Sequence, residues 1–271
     1  MRLVASDLDG TIIGRDGKIS DRTVRAFHAC RNAGIEIVFV TGRPPRWLDP
    51  LREQIGHTGR VICSNGAALY DLENERVLTT HLLSSENVLE ARRIIKGLYP
   101  AATFSAEIET GFRMEHGFMQ EHSPELLGTI EPAPLKQSLV GVEGVIKFLA
   151  REPTVSPDEF LATVRPAISD FAATTHSSPG VALLEMSLSG MDKGVALADY
   201  ARQLDIDAND VVAFGDMPND IQMLTWAGHG YAMESGHADA KAATDLLAPA
   251  FENDGVAQVL EERLAALRRN D

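Results

Sequence analysis

The chain has 271 residues, of which 44% are hydrophobic, enough to build the core of one large domain or of two modest ones. Its formal net charge of -14 argues against nucleic acid or a membrane as partner, because phosphate-rich surfaces are bound by basic residues. The two cysteines, Cys30 and Cys63, lack metal-site spacing and disulfide density, which favours buried thiols in a reducing compartment. No apolar run approaches the roughly 18 residues of a membrane span and no signal peptide is recognisable, so we expect a cytoplasmic protein.

Strand and helix patterns alternate in the N-terminal part of the chain. Apolar runs typical of strands occupy residues 2–6, 35–40 and 60–71, the last of which leads to a Gly turn. A helix is predicted to begin after the N-cap residue Ser20 and to end at Gly34. This alternation predicts right-handed crossovers and a parallel sheet, which binds ligands at the carboxyl ends of its strands. The rule places three polar residues at one edge of the sheet: Asp7, Thr41 and Asn65.

The pattern changes in the middle of the chain and returns near its end. Helices are predicted at residues 85–99 and 156–169, and strands at 103–109, 112–116, 144–150, 171–176 and 181–188. Three prolines, Pro124, Pro132 and Pro134, indicate a long loop within this part. After Asp192, helices are predicted at 193–204, 218–228 and 256–268, and strands at 211–216 and 230–233. We therefore expect an α+β domain at residues 82–187, inserted into an α/β domain formed by residues 1–81 and 188–271.

Two aspartates follow the first predicted strand in the segment DLDGT, residues 7–11. The carboxylates of Asp7 and Asp9 can converge where the strand ends, and such a pair either shares a proton or binds a cation. Gly10 permits a sharp turn, which hydrogen bonds from Thr11 can fix. An Asp-X-Asp pair considered alone is more often a solvated turn.

Two further segments have features that suit a phosphate group. Thr41 in FVTGRPP follows a strand and precedes a proline-started helix, so its hydroxyl and nearby N–H groups could bind an anion. Lys193 begins a predicted helix, and its compact positive charge suits a phosphoryl oxygen. Considered alone, such a threonine is more often an N-cap and such a lysine a surface residue.

A second acidic cluster ends the predicted strand at residues 211–216, in the segment GDMPND. Asp216 closes the strand, and Asn219 and Asp220 open the next helix. Carboxylate oxygens with positions open for water and substrate suit Mg²⁺ better than zinc. Asn219 or Asp220 alone is explained by helix capping, but the four segments together favour a catalytic site.

Four motifs, in this order, resemble those of the haloacid dehalogenase superfamily of phosphohydrolases. They are DLDGT at 7–11, TGR at 41–43, Lys193, and GDMPND at 215–220. SNGA at 64–67, DGV at 254–256 and the long insertion make the chain similar to the Cof-type subfamily, which has a large α+β (type IIB) cap. The resemblance covers nearly the whole chain and implies a Rossmann-like parallel-sheet core with an inserted α+β cap domain. The tail departs from the family at 233–236, where MESG replaces Met-Gly-Asn-Ala, and this puts the local loop geometry in doubt.

The resemblance implies an enzyme that hydrolyses small phosphorylated metabolites, with sugar phosphates as the expected class. Asp7 would attack phosphorus and form an aspartyl-phosphate, while Asp9 would protonate the leaving alcohol and then deprotonate water. The implied Mg²⁺ ligands are Asp7, the backbone carbonyl of Asp9, Asp216 and, through water, Asp220. The implied phosphate-binding residues are Thr41, Gly42, Lys193 and Asn219.

Contacts with the rest of the substrate are expected from Arg43, Asn65 and His176. Glu107, Arg113 and His116 are further candidates in the inserted domain, although each of these, like His176, is better explained as an ordinary surface residue. Two other functions stay open. One is a phosphotransferase or phosphomutase similar to phosphomannomutase, and the other is a catalytically silent module that binds sugar phosphates. We expect a monomer or a small homo-oligomer.

Overall fold

The computed structural model describes residues 1–56, 59–109, 111–119, 130–177 and 180–270. They form two compact units. The parallel-sheet unit consists of Met1–Thr79 and Asp192–Asp271, and the inserted unit of Thr80–Met191. The predicted limits of the insertion, residues 82 and 187, lie inside the bounds of the inserted unit. In the described part of the chain, no helix is long and apolar enough to cross a membrane.

Helices and strands alternate along both parts of the parallel-sheet unit. Among the described residues, the strands are β1 (Leu3–Ser6), β2 (Glu36–Val40), β3 (Arg60–Cys63), β4 (Ala68–Asp71), β5 (Arg76–Thr80), β6 (Leu83–Ser84), β7 (Thr103–Ile108), β8 (Gly111–Met114), β9 (Gly144–Val145), β10 (Lys147–Arg151), β11 (Ala173–Thr175), β12 (Leu183–Ser187), β13 (Val211–Gly215), β14 (His229–Met233) and β15 (Leu246–Ala248). The helices are α1 (Asp21–Asn32), α2 (Asp49–Ile55), α3 (Ser85–Leu98), α4 (Leu135–Ser138), α5 (Pro157–Ala167), α6 (Lys193–Gln203), α7 (Ile221–Trp226), α8 (Ala238–Ala242) and α9 (Gly255–Asn270).

The parallel-sheet unit is built on one sheet with the strand order β15-β14-β13-β1-β2-β3-β4-β5. Neighbouring strands are parallel from β15 to β3, which confirms the predicted parallel sheet. The side chains of β1 are fully buried, as expected for a strand with neighbours on both sides. Because β1 lies between β13 and β2, the chain segments that leave these three strands are neighbours at one edge.

The run at residues 60–71, predicted to be a strand that leads to a Gly turn, is a hairpin of two strands, β3 and β4. Ser64, Asn65 and Gly66 have φ values of 51°, 58° and 103°, which reverse the chain after β3. As a result β4 runs antiparallel to β3, with Cys63 opposite Ala68. The apolar pattern continues through the turn because all three turn residues are buried, so periodicity alone does not reveal it.

Helix α1 begins and ends where its sequence predicts. The side chain of the N-cap residue Ser20 accepts a hydrogen bond from the backbone N–H of Thr23, and Ala26, Phe27 and Cys30 are buried at helical spacing. The proline-started helix expected after Thr41 is observed as a single turn at Pro45–Trp47, which precedes α2. Thr41 is therefore not the N-cap of a helix.

The inserted unit has an antiparallel five-stranded sheet in the order β11-β12-β10-β7-β8. Its core joins this sheet to α3 and α5 through apolar side chains such as Phe104, Phe148 and Phe160. The predicted α+β class and the helix after the N-cap residue Ser156 are both observed. Pro124 of the expected long loop lies outside the described residues, and Pro134 is the N-cap residue of α4, a helix that the sequence pattern does not predict.

Candidate active site

Acidic residues leave the sheet at the carboxyl ends of two neighbouring strands. Asp7 follows β1, and Asp216 follows β13. The two strands pair in register, with Ser6 opposite Phe214, and the backbone N–H of Asp7 continues the ladder by donating to the carbonyl of Phe214 at 2.9 Å. The pairing of the central strands therefore brings the two carboxylates together.

The DLDGT segment makes a tight turn against Asp216. The carbonyl of Leu8 accepts hydrogen bonds from the N–H groups four and five residues further on, at Ile12 (2.9 Å) and Ile13 (2.7 Å). Gly10 has a φ of +82°, and a Cβ at this position would lie 2.4 Å from Oδ2 of Asp216. Glycine is thus required both by the backbone conformation and by the close carboxylate. The hydroxyl of Thr11 donates to Oδ1 of Asp216 at 3.0 Å, which fixes that carboxylate.

A buried lysine connects two of the aspartates. Lys193 is fully buried, and its Nζ lies 2.5 Å from Oδ1 of Asp7 and 2.6 Å from Oδ1 of Asp220. The other oxygen of Asp220 accepts hydrogen bonds from the backbone N–H groups of Asp216 (3.0 Å) and Met217 (2.9 Å). Lys193 is therefore not a surface residue, and Asp220 is held from both sides.

The charges in this group are unbalanced, and the pKa values shift accordingly. Burial raises the pKa of Asp7 well above its ordinary value, Lys193 acts against this rise, and Asp220 and Asp216 add to it. Burial and then the charge of Asp220 raise the pKa of Asp216 to about 7. Burial alone would lower the pKa of Lys193, but the carboxylates of Asp220 and Asp7 outweigh it and raise this pKa. Three carboxylates thus share one ammonium group.

This group has the donor set of a site for a hard divalent cation. Asp7, Asp216 and Asp220 each offer a carboxylate oxygen, and these atoms lie within 4.8 Å of one another. Oxygen ligands and an excess of negative charge over the single lysine suit Mg²⁺. The residues present therefore fit the ion that the family resemblance implies. The carboxylate of Asp9 lies outside this group.

Asp9 faces a different partner. Its side chain is 53% exposed, and both of its oxygens accept hydrogen bonds from Arg43, at 2.8 Å from Nε and 2.5 Å from Nη2. Such a bidentate ion pair fixes the orientation of a carboxylate better than a single hydrogen bond does. Arg43 is fixed in turn, because its backbone N–H donates to the buried hydroxyl of Thr41 at 3.0 Å.

Asn219 and Asn65 meet at the same edge of the sheet. Nδ2 of Asn219 donates to Oδ1 of Asn65 at 3.0 Å, and both side chains are buried. The structure thus brings together, within the parallel-sheet unit, most residues that the sequence singles out. His176 belongs to the inserted unit, where it is buried and its Nε2 lies 2.9 Å from Oδ1 of Asp158. Glu107 of the same unit is also buried, opposite Lys147 in the sheet, so it is not an ordinary surface residue.

One contributor to the site directly follows the tail segment that departs from the family pattern. The backbone N–H of His237, directly after MESG, donates to the carbonyl of Asp216 at 2.7 Å. Glu234 donates its backbone N–H to Ala248, and the Ser235 hydroxyl accepts from Phe251. The loop is therefore hydrogen-bonded on several sides and supports the backbone of Asp216. The sequence offers no signal for this contact, which is made by backbone atoms.

The family model for haloacid dehalogenase-like hydrolases matches residues 4–260. The chain belongs to this family. It is 26% identical over 271 residues to the 5-amino-6-(5-phospho-D-ribitylamino)uracil phosphatase YitU of Bacillus subtilis, with 96% of each chain covered. It is 30% identical over 239 residues to the HMP-PP phosphatase of Yersinia pseudotuberculosis, with 86% of this chain and 83% of the relative covered.

Solved structures share the fold of this haloacid dehalogenase-like hydrolase. SMU.1108c from Streptococcus mutans has a TM-score of 0.82 at 24% identity, covering 97% of this chain and 99% of the other. The subclass IIB sugar phosphatase BT4131 has a TM-score of 0.80 at 21% identity, covering 97% and 98%. The resemblance to Cof-type phosphatases with a Rossmann-like core and a cap is confirmed, and the protein is a phosphoric monoester hydrolase.

The raised pKa of Asp216 predicts how the stability of the metal-free hydrolase depends on pH. The pKa of Asp216 is about 7 in the folded protein, compared with an ordinary value of 3.8. Between these two pH values, the folded protein therefore keeps a proton on Asp216 that the unfolded chain releases. This proton adds to the free energy of unfolding. Its full contribution is present below the ordinary pKa of 3.8 and is lost as the pH rises through the folded-state pKa of about 7. We expect Asp216→Asn to remove this pH-dependent decrease in the free energy of unfolding, which amounts to at most roughly 4 kcal/mol.

The measurement is urea unfolding in EDTA across this pH range, followed by tryptophan fluorescence, because Trp47 and Trp226 both lie in the parallel-sheet unit. Asp199→Asn is the matched control, since this exposed carboxylate contacts only Arg202 in the hydrogen bonds described, and it should keep the wild-type slope. Equal slopes for the wild type and Asp216→Asn would contradict the assignment.

Proposed function

We propose that this phosphatase hydrolyses small phosphorylated metabolites, with sugar phosphates as the substrate class, through an aspartyl-phosphate on Asp7 and with Mg²⁺ as cofactor. The observation that carries the proposal is the buried group of Asp7, Lys193, Asp216 and Asp220 at the ends of two paired strands. The name of the sugar phosphatase BT4131, which shares the fold, supports the substrate class.

In the first half of the proposed reaction, a carboxylate oxygen of Asp7 forms a bond to phosphorus while the bond to the leaving alkoxide breaks. Oδ1 of Asp7 is held by Lys193, which leaves the second oxygen for the attack. The leaving oxygen takes a proton from Asp9 and departs as an alcohol. Asp9 is suited to proton transfer because its side chain is half exposed, whereas Asp7 is buried.

In the second half, Asp9 takes a proton from water while the water oxygen attacks phosphorus, and the acyl phosphate bond breaks. Inorganic phosphate leaves, and the Asp7 carboxylate is restored. Arg43 orients Asp9 through its two hydrogen bonds and would have to release it when Asp9 carries the proton. The same residue is our candidate for contact with the substrate.

The phosphoryl oxygens are proposed to be held by Thr41, Gly42, Lys193 and Asn219. Lys193 supplies a full positive charge, and the others supply neutral donors, so the acidic protein attracts an acidic substrate locally. The proposed metal ligands are Asp7, the Asp9 carbonyl and Asp216, with Asp220 acting through water because both of its oxygens already have protein partners. When bound, Mg²⁺ neutralises the repulsion between carboxylates and phosphate and aligns them.

Replacing the nucleophile tests the central step. Asp7→Asn keeps the size of the side chain but is a far weaker nucleophile, so we expect hydrolysis of p-nitrophenyl phosphate to fall by roughly four orders of magnitude. Circular dichroism should show an unchanged fold. Asp199→Asn, which alters an exposed carboxylate of the same unit, should keep full activity. Substantial turnover by the Asp7 variant would remove Asp7 from its role.

Metal removal tests the cofactor. Dialysis against EDTA should abolish hydrolysis, and added Mg²⁺ should restore it. Asp216→Asn removes one charged ligand, so the Mg²⁺ concentration for half-maximal activity should rise by on the order of tenfold or more. Full activity in the chelated enzyme, or an unchanged Mg²⁺ requirement in the variant, would contradict the proposal.

The fate of the phosphate separates hydrolysis from transfer. Incubation with hexose monophosphates should release inorganic phosphate in equal amount to the free hexose, because water is the proposed acceptor. Phosphate assays and separation of the sugar products measure both. An isomeric hexose phosphate without release of phosphate would favour the phosphomutase alternative instead.

Substrate contact by His176, a cytoplasmic location and a monomeric or small homo-oligomeric state stay predictions.

A further inference from the structure

The turn at Ser64–Gly66, which joins β3 to β4, contains two strained non-glycine residues. Ser64 and Asn65 both have positive φ values, 51° and 58°, and both are buried. Asparagine tolerates this left-handed region, whereas serine rarely adopts it, and any non-glycine residue there is strained. Strain of this kind persists only where the surroundings hold the residue in place, and it is concentrated at functional sites.

The same turn contacts three parts of the proposed phosphate site: the segment after β2, the start of α6 and the side chain of Asn219. The backbone N–H of Ser64 donates to the carbonyl of Arg43, and that of Asn65 donates to the carbonyl of Thr41, both at 3.0 Å. Gly66 packs against the start of the helix that carries Lys193, because a Cβ on Gly66 would lie 2.5 Å from the carbonyl of Asp192. The turn therefore sets the distance between the segment after β2 and the N-terminus of α6.

The side chain of Asn65 reaches the third part. Its Oδ1 accepts a hydrogen bond from Nδ2 of Asn219 at 3.0 Å, with both residues buried. A side-chain amide can rotate to present either its oxygen or its nitrogen, but an acceptor at this place selects the nitrogen. Oδ1 of Asn219 is buried and has no hydrogen-bond partner within the described residues, so the contact with Asn65 is what sets the amide orientation there.

We propose that Asn65 is a positioning residue, whose Oδ1 orients the amide of Asn219 so that Nδ2 can donate to the phosphoryl group. An amide nitrogen carries two hydrogens, so Nδ2 can serve Asn65 and a phosphoryl oxygen together. This inference rests on the proposed function of Asn219 and replaces the expectation that Asn65 touches the substrate. Asn65 acts through Asn219, so its contribution disappears when the Asn219 amide is absent.

The test is a double-mutant cycle that uses glycine to separate side chain from backbone. Asn65→Gly removes the acceptor but keeps a residue that adopts a positive φ without strain. We expect kcat/KM for p-nitrophenyl phosphate to fall on the order of tenfold, and the inhibition constant of inorganic phosphate to rise by a similar factor. In the Asn219→Ala background, Asn65→Gly should change neither quantity.

Ser64→Gly is the matched control. It makes the same replacement of a strained residue one position earlier, and the hydroxyl that it removes has no hydrogen-bond partner in the described structure. We expect wild-type kcat/KM from it. A second variant, Asn65→Ala, loses the same acceptor but adds strain, so it should be less stable than Asn65→Gly and yet equally impaired in kcat/KM.

Three results would overturn the inference. The first is that the effects of Asn65→Gly and Asn219→Ala are independent and additive. The second is a wild-type kcat/KM in Asn65→Gly. The third is that the loss of kcat/KM in Asn65→Gly and Asn65→Ala correlates with the loss of stability, measured as the unfolding midpoint of each variant. The first would return Asn65 to direct contact with the substrate. Failure of the proposed function is recognised separately, because it would appear as retained turnover in Asp7→Asn. This readout does not depend on the result of the double-mutant cycle at positions 65 and 219.

Discussion

The contact of Lys193 with Asp7 and Asp220 is the interaction on which the rest of the site depends. A fully buried ammonium group without partners would cost several kcal/mol, so its burial requires carboxylates at hydrogen-bond distance. Two are provided, at 2.5 and 2.6 Å, and a third aspartate, Asp216, is added beside them. The lysine therefore makes the buried acidic group possible but does not neutralise it. The remaining negative charge is the physical reason to expect a cation.

The fold holds this charged group mainly with backbone atoms. Asp7 follows β1 and Asp216 follows β13, which are paired near the middle of the sheet and cannot shift without breaking their ladder. Asp220 is held by two backbone N–H groups, and the carbonyl of Asp216 by the N–H of His237. The unfavourable closeness of like charges is thus maintained by the hydrogen bonds of the sheet and its adjoining loops. Such rigidity allows a site to hold its charges in place before a substrate binds.

The parts of the site that lie within one sequence segment could be predicted, and the contacts between segments could not. Asp7, Thr41 and Asp216 follow apolar runs, so a parallel sheet places them at one edge. The burial of Lys193 could not be foreseen from its position at a helix start, because it depends on partners at residues 7 and 220. A Gly turn could be predicted in the run at 60–71, but the strain at Ser64 and Asn65 could not, since this conformation is stabilised by contacts with the segment after β2. The pairing of Asn65 with Asn219, which are 154 positions apart, leaves no local pattern at all.

The two aspartates of DLDGT are two positions apart but lie in opposite environments, and this difference divides their proposed roles. Asp9 is half exposed and paired with Arg43, which suits a group that must exchange protons with a leaving alcohol and with water. Asp7 is buried, and burial raises its pKa, which opposes the ionised form that a nucleophile needs. Lys193 counters this rise only in part. A divalent cation at Asp7 would lower the pKa further, so on the proposed mechanism the metal is needed to ionise the nucleophile as well as to attract the phosphate.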